Sequence, residues 1–234
     1  MPEPAISIND FSYVYEDGTV ALSHVTLRIE EGESVGIIGH NGSGKSTLFM
    51  NIAGILGPDG SIRVHGIPVT KENLKKIHRT IGYVFNDPRD QLFMSRVIED
   101  VAFGPLNMGL SREEALKEAK RALDKVGLTG FGERISYHLS GGEMQRAAIA
   151  TVLAMSPEII VMDEPSAGLD PRAKRELSEV LQNLACTKLI ASHDLEFICQ
   201  CTQRVVLLHK GSIAADGPCH DIISDTELLI KNGL

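Results

Sequence analysis

The residues best suited to chemistry form a glycine-rich segment at positions 39–47, directly after the apolar run 34–38. The segment fits G-x-x-x-x-G-K-[ST], a pattern whose glycines let backbone N–H groups converge on a phosphate at a helix N-terminus. Lys45 is expected to reach the β- and γ-phosphates, and the Ser46 hydroxyl to ligate Mg²⁺. A chance glycine turn is the alternative, but a strand pattern precedes the segment and a helical pattern follows it. The predicted nucleotide-binding residues are Gly39, His40, Asn41, Gly42, Ser43, Gly44, Lys45, Ser46 and Thr47.

Two further strands are predicted to bring acidic residues and a histidine to the same place. The apolar run 158–162 ends in Asp163 and Glu164, and the run 187–191 leads to His193. Ligands of an open parallel sheet lie beyond the carboxyl ends of its strands, so these side chains should face the phosphate loop. We expect Asp163 to hold Mg²⁺ through water, Glu164 to polarise the attacking water, and His193 to contact the γ-phosphate. The alternatives are solvated loop carboxylates and a histidine with structural hydrogen bonds only.

The composition narrows the class of protein. The 234 residues suffice for one α/β domain with a subdomain, and 43% hydrophobic with 23% charged residues is ordinary for a globular chain. A net charge of −8 argues against nucleic acid as a partner. No apolar run reaches the roughly 18 residues of a membrane span, and the first residues do not resemble a secretory signal. We therefore expect a cytoplasmic protein.

The cysteines are expected to be reduced thiols, because they lack C-x-x-C spacing; they are Cys186, Cys199, Cys201 and Cys219. Cys219 and His220 could supply half of a metal site. A lone pair of this kind is more often incidental, since a structural site needs about four ligands.

The N-terminal part is predicted to form a small antiparallel sheet beside the strand that feeds the phosphate loop. Residues 6–15 and 61–64 have strand patterns, and positions 25–29 alternate between apolar and polar residues. Tyr15 lies at the edge of this sheet, where its ring could stack on a nucleotide base. A tyrosine that is merely packed or exposed on an edge strand is the alternative.

A helical insertion is predicted between the phosphate loop and the acid pair. Ser111 and Glu114 form a capping box, and apolar residues then recur at helical spacing up to Gly127. We predict a single domain over 1–234, with a core at 1–84 and 138–234 and a helical subdomain at about 85–137.

One segment separates this chain from other proteins with a phosphate loop. Residues 139–143 read Leu-Ser-Gly-Gly-Glu and resemble LSGGQ, the signature of the ATP-binding cassette (ABC) family. The other motifs follow in matching order, so the resemblance covers nearly the whole chain. It implies an α/β fold with a P-loop (RecA-like), mostly parallel sheet core, an N-terminal antiparallel β subdomain and an inserted helical subdomain. It also implies an ATPase whose nucleotide is ATP and whose metal is Mg²⁺.

The signature is suited to gripping a phosphate, because Ser140, Gly141 and Gly142 offer a hydroxyl and unobstructed amides at a helix N-terminus. In the family this grip acts on the ATP that a second protomer holds. One phosphate loop and one signature would then make half of each site, so a second ATPase protomer is required. The resemblance further assigns Tyr15 to the adenine and Asp170 to communication across the dimer.

Residues 85–93 and 99–107 resemble more narrowly the ATPase subunits of energy-coupling-factor importers, most closely the cobalt or nickel branch. That resemblance implies a transmembrane scaffold subunit, a separate membrane subunit that captures the substrate, and a place at the cytoplasmic face of the cell membrane. Gln91 matches a glutamine-bearing segment that lies toward the scaffold in the family. An importer of a vitamin such as biotin is the alternative within this class.

The chain departs from the family pattern at two positions. Asn86 stands where the family has Gln, whose amide contacts Mg²⁺ and the attacking water, so the shorter Asn needs a loop shift or a bridging water. Glu143 replaces the signature Gln; it adds negative charge near the partner's nucleotide but suits a helix N-terminus, which leaves its net effect open.

Two other classes of function compete with an importer motor. An ATP-driven clamp in DNA repair or chromosome organisation would need a long coiled coil, and no sustained heptads occur between the phosphate loop and the signature. A nucleotide-gated switch with little hydrolysis is opposed by Glu164 and His193, although Asn86 is compatible with it.

Overall fold

The computed structural model describes residues 3–57 and 59–234 of the chain. Its strands are β1 (Ile6–Val14), β2 (Val20–Ile29), β3 (Ser34–Ile38), β4 (Ile62–Val64), β5 (Ile67–Pro68), β6 (Ile81–Val84), β7 (Ile159–Asp163), β8 (Thr187–Ala191), β9 (Arg204–His209) and β10 (Ser212–Pro218). Its helices are α1 (Lys45–Ile52), α2 (Leu74–Thr80), α3 (Val97–Asn107), α4 (Arg112–Lys125), α5 (Gly141–Leu153), α6 (Pro171–Gln182), α7 (Leu195–Cys201), α8 (Cys219–Ser224) and α9 (Thr226–Lys231).

The central sheet has the strand order β10-β9-β3-β8-β7-β6. The strands from β9 to β6 run parallel, and β10 pairs antiparallel with β9. Every residue of β3, β7 and β8 is buried, as expected for strands that are covered on both faces. The predicted mostly parallel α/β core is confirmed, and the carboxyl ends of these three strands lie at one edge.

Alternate residues of the central strands face two different hydrophobic cores. Ile37 and Val161 pack in the core that contains the antiparallel sheet, whereas Ile38 and Met162 pack in the core formed with helices such as α5 and α7. Successive side chains of a strand point to opposite faces, so one run of apolar residues supplies both cores.

The second sheet has the order β2-β1-β4-β5 and pairs antiparallel, as predicted. Ile6 lies between Ile29 of β2 and Val64 of β4. β1 ends one residue earlier than predicted, because the Tyr15 N–H bonds the Thr19 carbonyl oxygen at 2.9 Å and closes a turn. Tyr15 therefore stands just beyond the strand.

Between β6 and α5 the chain forms α3 and α4. The predicted capping box is confirmed: the Ser111 N–H donates to the Glu114 carboxylate at 2.9 Å, and the Glu114 N–H donates back to the Ser111 hydroxyl. The loop before α3 is held by buried Asp100, which accepts from the Phe93 N–H at 2.9 Å and the Ser136 hydroxyl at 2.8 Å. Within the described residues no helix is long and apolar enough to cross a membrane.

Candidate active site

The phosphate loop turns tightly between β3 and α1, and the packing around it explains its glycines. A Cβ at Gly39 would lie 2.3 Å from the Leu208 carbonyl oxygen, and one at Gly44 would lie 2.7 Å from the Ala21 carbonyl oxygen. Gly42 faces open space but has φ +79°, a conformation that disfavours other residues. The loop backbone is thus held in one shape by its neighbours.

Lys45 is buried at the mouth of this loop. Its Nζ donates to the Gly39 carbonyl oxygen at 2.8 Å and to the His40 carbonyl oxygen at 3.3 Å, and it lies 3.8 Å from Glu164 Oε1. The ammonium therefore lies inside the loop, where it would face a bound phosphate.

The other loop residues differ in their surroundings. Asn41 is exposed, and its carbonyl oxygen lies 2.7 Å from His40 Nδ1. Ser43 is fully buried, and within the described residues its hydroxyl has no hydrogen-bond partner. The Thr47 hydroxyl lies 2.9 Å from the Tyr15 hydroxyl, so the predicted adenine-binding tyrosine is tied to α1.

Asp163 ends β7 as a buried carboxylate beside Ser46. Burial raises the pKa of Asp163, while the hydrogen bond from Ser46 acts in the opposite direction. Within the described part of the chain, Asp163 Oδ1 has no hydrogen-bond partner although it is buried. The Ser46 hydroxyl and the unpartnered Oδ1 of Asp163 are oxygen atoms of the kind that Mg²⁺ prefers as ligands.

Tyr83 is a site residue that the sequence did not reveal. It lies on β6 opposite Val161 of β7, and its phenol is near enough to the Asp163 carboxylate for that charge to affect the pKa of Tyr83. Burial and the nearby Asp163 charge raise the pKa of Tyr83, which keeps the phenol protonated as a donor. The strand pattern around Tyr83 could be recognised, but its pairing with β7 could not.

Glu164 and His193 meet at the ends of β7 and β8. Glu164 Oε2 lies 2.8 Å from His193 Nδ1, 3.2 Å from the Ser192 hydroxyl that donates to it, and 3.3 Å from the His193 backbone nitrogen. Glu164 itself has φ +49°, and its N–H donates to the Ala191 carbonyl oxygen at 2.8 Å. The bend that leaves β7 thus aims the carboxylate across to the end of β8.

Asn86 and Gln91 have different surroundings in the segment after β6. Asn86 is exposed. The Gln91 side chain is turned toward α5: it donates to the Thr151 hydroxyl at 2.6 Å and the Ala148 carbonyl oxygen at 2.9 Å, and accepts from the Phe85 N–H at 3.2 Å. Gln91 therefore links the residue before Asn86 to the signature helix.

The signature begins α5, with Ser140 as its N-cap. The Ser140 N–H donates to Glu143 Oε2 at 2.7 Å, and that hydrogen bond is the main cause of a lowered pKa of Glu143. A Cβ at Gly142 would lie 2.7 Å from the Cβ of Ala173 on α6, so glycine allows the two helices to approach. Gly141 faces open space, with Leu169 Cδ2 at 3.9 Å as the nearest neighbour of an added Cβ.

The cavity beside the signature does not extend to the phosphate loop. A cavity of about 310 Å³ is lined by Ser140, Gly142 and Asp170 together with residues of α5 and α6. Among the residues described, none from the phosphate loop lines it. Asp170 caps α6 by accepting from the Ala173 N–H at 2.8 Å.

The sequence matches the ABC transporter family over residues 22–167, which is more than half of the chain. It is 45% identical to the energy-coupling factor transporter ATP-binding protein EcfA of Methanothermobacter thermautotrophicus, over 98% of this chain and 76% of that protein.

Solved structures share the fold. CbiO1 of Clostridium perfringens, part of the ABC transporter complex CbiONQ, has a TM-score of 0.87 at 35% identity, covering 98% of this chain and 94% of its own. The ATP-binding cassette MJ0796, solved as a dimer with ADP and Pi after hydrolysis, has a TM-score of 0.82 at 29% identity, covering 92% of this chain and 98% of its own. The phosphate loop, the two strand ends and the signature described above therefore belong to a member of the ABC transporter family, and this chain is one of its ATP-hydrolysing ATPases.

Proposed function

We propose that this chain works as half of an ATP-dependent dimer, with itself or with a similar ATPase. Each ATP would be held by the phosphate loop of one protomer and by Ser140, Gly141 and Gly142 of the other. The observation that carries this proposal is the separation of the two half-sites: the signature lines a cavity to which, among the described residues, the phosphate loop contributes nothing. The similarity to MJ0796, which was solved as a dimer, supports it.

Within each site the residues of this chain have distinct roles. Lys45 exchanges the carbonyl oxygens of its own loop for the β- and γ-phosphates, and Tyr15 lies against the adenine. Glu164 accepts a proton from the attacking water, while His193 holds the carboxylate in place and faces the γ-phosphate. Asn86 approaches the attacking water and the metal through a bridging water, because its side chain is short.

The residues that would hold Mg²⁺ are Ser46 and Asp163, with Asn86 at one water's distance. When bound, the ion neutralises charge on the phosphates. The unpartnered Oδ1 of Asp163 supports this assignment, because a buried carboxylate oxygen is costly to leave without a ligand or donor. Tyr83 lies near that carboxylate.

The test of the half-site proposal uses Glu164→Gln, which should slow hydrolysis and trap the ATP-bound state. Light scattering after gel filtration is expected to show a dimer with ATP and a monomer with ADP. Lys45→Ala in the same background is the matched control and should stay monomeric with ATP. A Glu164→Gln protein that binds ATP and remains monomeric at micromolar concentration would overturn the proposal.

We further propose that an exposed apolar cluster docks a transmembrane scaffold at the cytoplasmic face of the membrane. The rings of Phe93 and Phe103 lie 5.1 Å apart with 54% and 41% exposed, and Leu106, on the same helix as Phe103, is also exposed. This cluster lies in the helical subdomain that we propose at about 85–137. Exposed apolar patches of this kind mark interaction sites.

The cargo we propose is a cobalt or nickel ion, captured by a separate membrane subunit. The resemblance of residues 85–93 and 99–107 to that importer branch and the similarity to CbiO1 support the assignment. Cells that carry the complete importer should accumulate cobalt or nickel by mass spectrometry of the washed cells, and Glu164→Gln should abolish the accumulation. Glu164-dependent uptake of biotin without metal uptake would overturn the cargo while leaving the ATPase proposal intact.

A further inference from the structure

Two cysteines that are distant in sequence meet between α7 and α8. The Sγ atoms of Cys199 and Cys219 lie 3.1 Å apart. A disulfide bond is about 2.05 Å long, so the two sulfurs need to approach by only about 1 Å. α7 contacts α8 directly, and α8 contacts β9 and β10, so the two sulfurs are brought together by packed elements.

The two thiols differ in their access to solvent. Cys199 is exposed, whereas Cys219 is 6% exposed, and burial raises the pKa of Cys219 to about 12. Cys201 is also buried, with its pKa raised by burial to about 12. Cys186 is partly buried. Cys199 is therefore the thiol that an external reagent reaches first, and Cys219 is positioned to react with whatever forms on it.

These sulfurs do not form a metal site with their neighbours. Within residues 3–57 and 59–234 no group of three or more His, Cys, Asp or Glu side chains is arranged to hold a metal ion. A close thiol pair without a third ligand fits oxidation chemistry better than zinc binding, which needs about four ligands.

We propose that Cys199 and Cys219 form a reversible intramolecular disulfide when a hydroperoxide oxidises the chain. The Cys199 thiol loses its proton to solvent, the thiolate attacks a peroxide oxygen, and the O–O bond breaks. Cys199 becomes a sulfenic acid, and the hydroxide or alkoxide that leaves takes up a proton from solvent to give water or an alcohol. The Cys219 sulfur then attacks the Cys199 sulfur, the S–S bond forms, the S–O bond breaks, and the Cys219 proton leaves with the oxygen as water. The peroxide gains two electrons and the two thiols lose them; a small dithiol reverses the reaction by thiol–disulfide exchange.

The disulfide would connect the helix next to the active-site histidine with the C-terminal part of the chain. α7 is capped by Asp194, which follows His193, and the Asp194 carboxylate accepts from the Phe197 N–H at 3.1 Å. The bond would close a loop from Cys199 to Cys219 that includes β9 and β10. Such a loop removes freedom mainly from the unfolded chain, so the oxidised protein should unfold at a higher temperature than the reduced one.

The decisive experiment maps the thiols of the full chain. The protein is treated with hydrogen peroxide at low micromolar concentration, free thiols are alkylated in denaturant, and the non-reduced digest is analysed by mass spectrometry. A linked peptide pair carrying Cys199 and Cys219, lighter by two hydrogens and separated by dithiothreitol, is expected, with Cys186 and Cys201 alkylated. Alkylation of both Cys199 and Cys219 after peroxide treatment, or a Cys199 sulfinic acid without the link, would overturn the proposal.

Variants assign the order of the two steps. Cys219→Ser should accumulate a Cys199 sulfenic acid that dimedone traps, and Cys199→Ser should leave Cys219 as a thiol. Cys186→Ser is the matched control and should form the link as the parent does. A linked pair that involves Cys201 in place of Cys219 would also refute the assignment, and the parent protein alone is enough to reveal it.

Discussion

His193 Nδ1 lies 2.8 Å from Glu164 Oε2, the oxygen that also accepts from the Ser192 hydroxyl at 3.2 Å. A carboxylate oxygen of Glu164 accepts hydrogen bonds, so a bond at this distance requires the tautomer of His193 that carries a proton on Nδ1. Glu164 directly follows β7, and His193 lies two residues after the end of β8. β7 and β8 are adjacent parallel strands. The two residues therefore form one unit whose geometry depends on the pairing of two strand ends.

Removal of either member of this unit should strongly reduce hydrolysis. Glu164→Gln and His193→Ala are each expected to lower the rate of phosphate release by about 100-fold or more, because a positioned base contributes a factor of that order. The double variant should be little worse than the worse single variant, since residues that act together have non-additive effects. Thermal unfolding and ATP binding serve as controls. If the fold-losses in rate of the two single variants multiply in the double variant, the two residues have independent roles.

The short side chain of Asn86 should limit the basal rate of ATP hydrolysis. Asn86→Gln extends the amide by one methylene toward the attacking water, so we expect a higher basal ATPase rate in a purified assay. Asn86→Ala is the matched control; it removes the amide and should lower the rate. An unchanged or lower rate in Asn86→Gln would count against direct contact through this amide. Asn86 is exposed, so neither substitution should alter stability by more than about 0.5 kcal/mol.

The two signature glycines should respond differently to alanine. A Cβ at Gly141 meets no atom closer than 3.9 Å, so Gly141→Ala should keep the unfolding temperature but weaken ATP-dependent dimerisation in the Glu164→Gln background. A Cβ at Gly142 lies 2.7 Å from the Cβ of Ala173, so Gly142→Ala should also lose about 1–3 kcal/mol of stability. Calorimetry and gel filtration separate the two effects. Parent-like dimerisation of Gly141→Ala would mean that this face does not meet a partner.

Gln91 should couple the segment after β6 to the signature helix. Gln91→Leu and Thr151→Val each break the 2.6 Å hydrogen bond between these side chains, and each should cost about 1 kcal/mol. The double variant should cost less than the sum, because the bond is lost only once. Denaturant unfolding gives the three values. Full additivity would exclude an energetic link between the two residues.

Glu143 should make a pH-dependent contribution to stability. Its pKa is lowered from the ordinary 4.5 in the folded chain, chiefly by the Ser140 N–H. A depressed carboxyl pKa stabilises the fold at pH values above the unfolded pKa, and this stabilisation is lost as the pH falls through the folded value. The difference in unfolding temperature between the parent and Glu143→Gln should therefore shrink from pH 6 toward about pH 3. A difference that stays constant over this range would contradict the assignment.

Local features of the chain can be predicted from the sequence because each depends on residues that are close in sequence. The capping box at Ser111, the apolar run that becomes β3 and the loop motif up to Lys45 need only neighbouring backbone groups, glycine conformations and a period of two. The family resemblance extends these local predictions to a prediction of the fold class. The ends of strands depend on turn contacts as well: the hydrogen bond that closes the turn at Tyr15 ends β1 one residue earlier than predicted.

By itself the sequence determined which strands are buried, where the phosphate loop lies and which acids and histidine are candidates for chemistry. Only the tertiary structure decided which groups come together: Tyr83 lies near Asp163, Gln91 turns inward to α5, and Cys199 meets Cys219. These contacts join residues separated by 20 positions or more. The strand order and the packing of helices bring such groups together. A pattern among neighbouring residues does not specify which residues far away in the sequence they will contact.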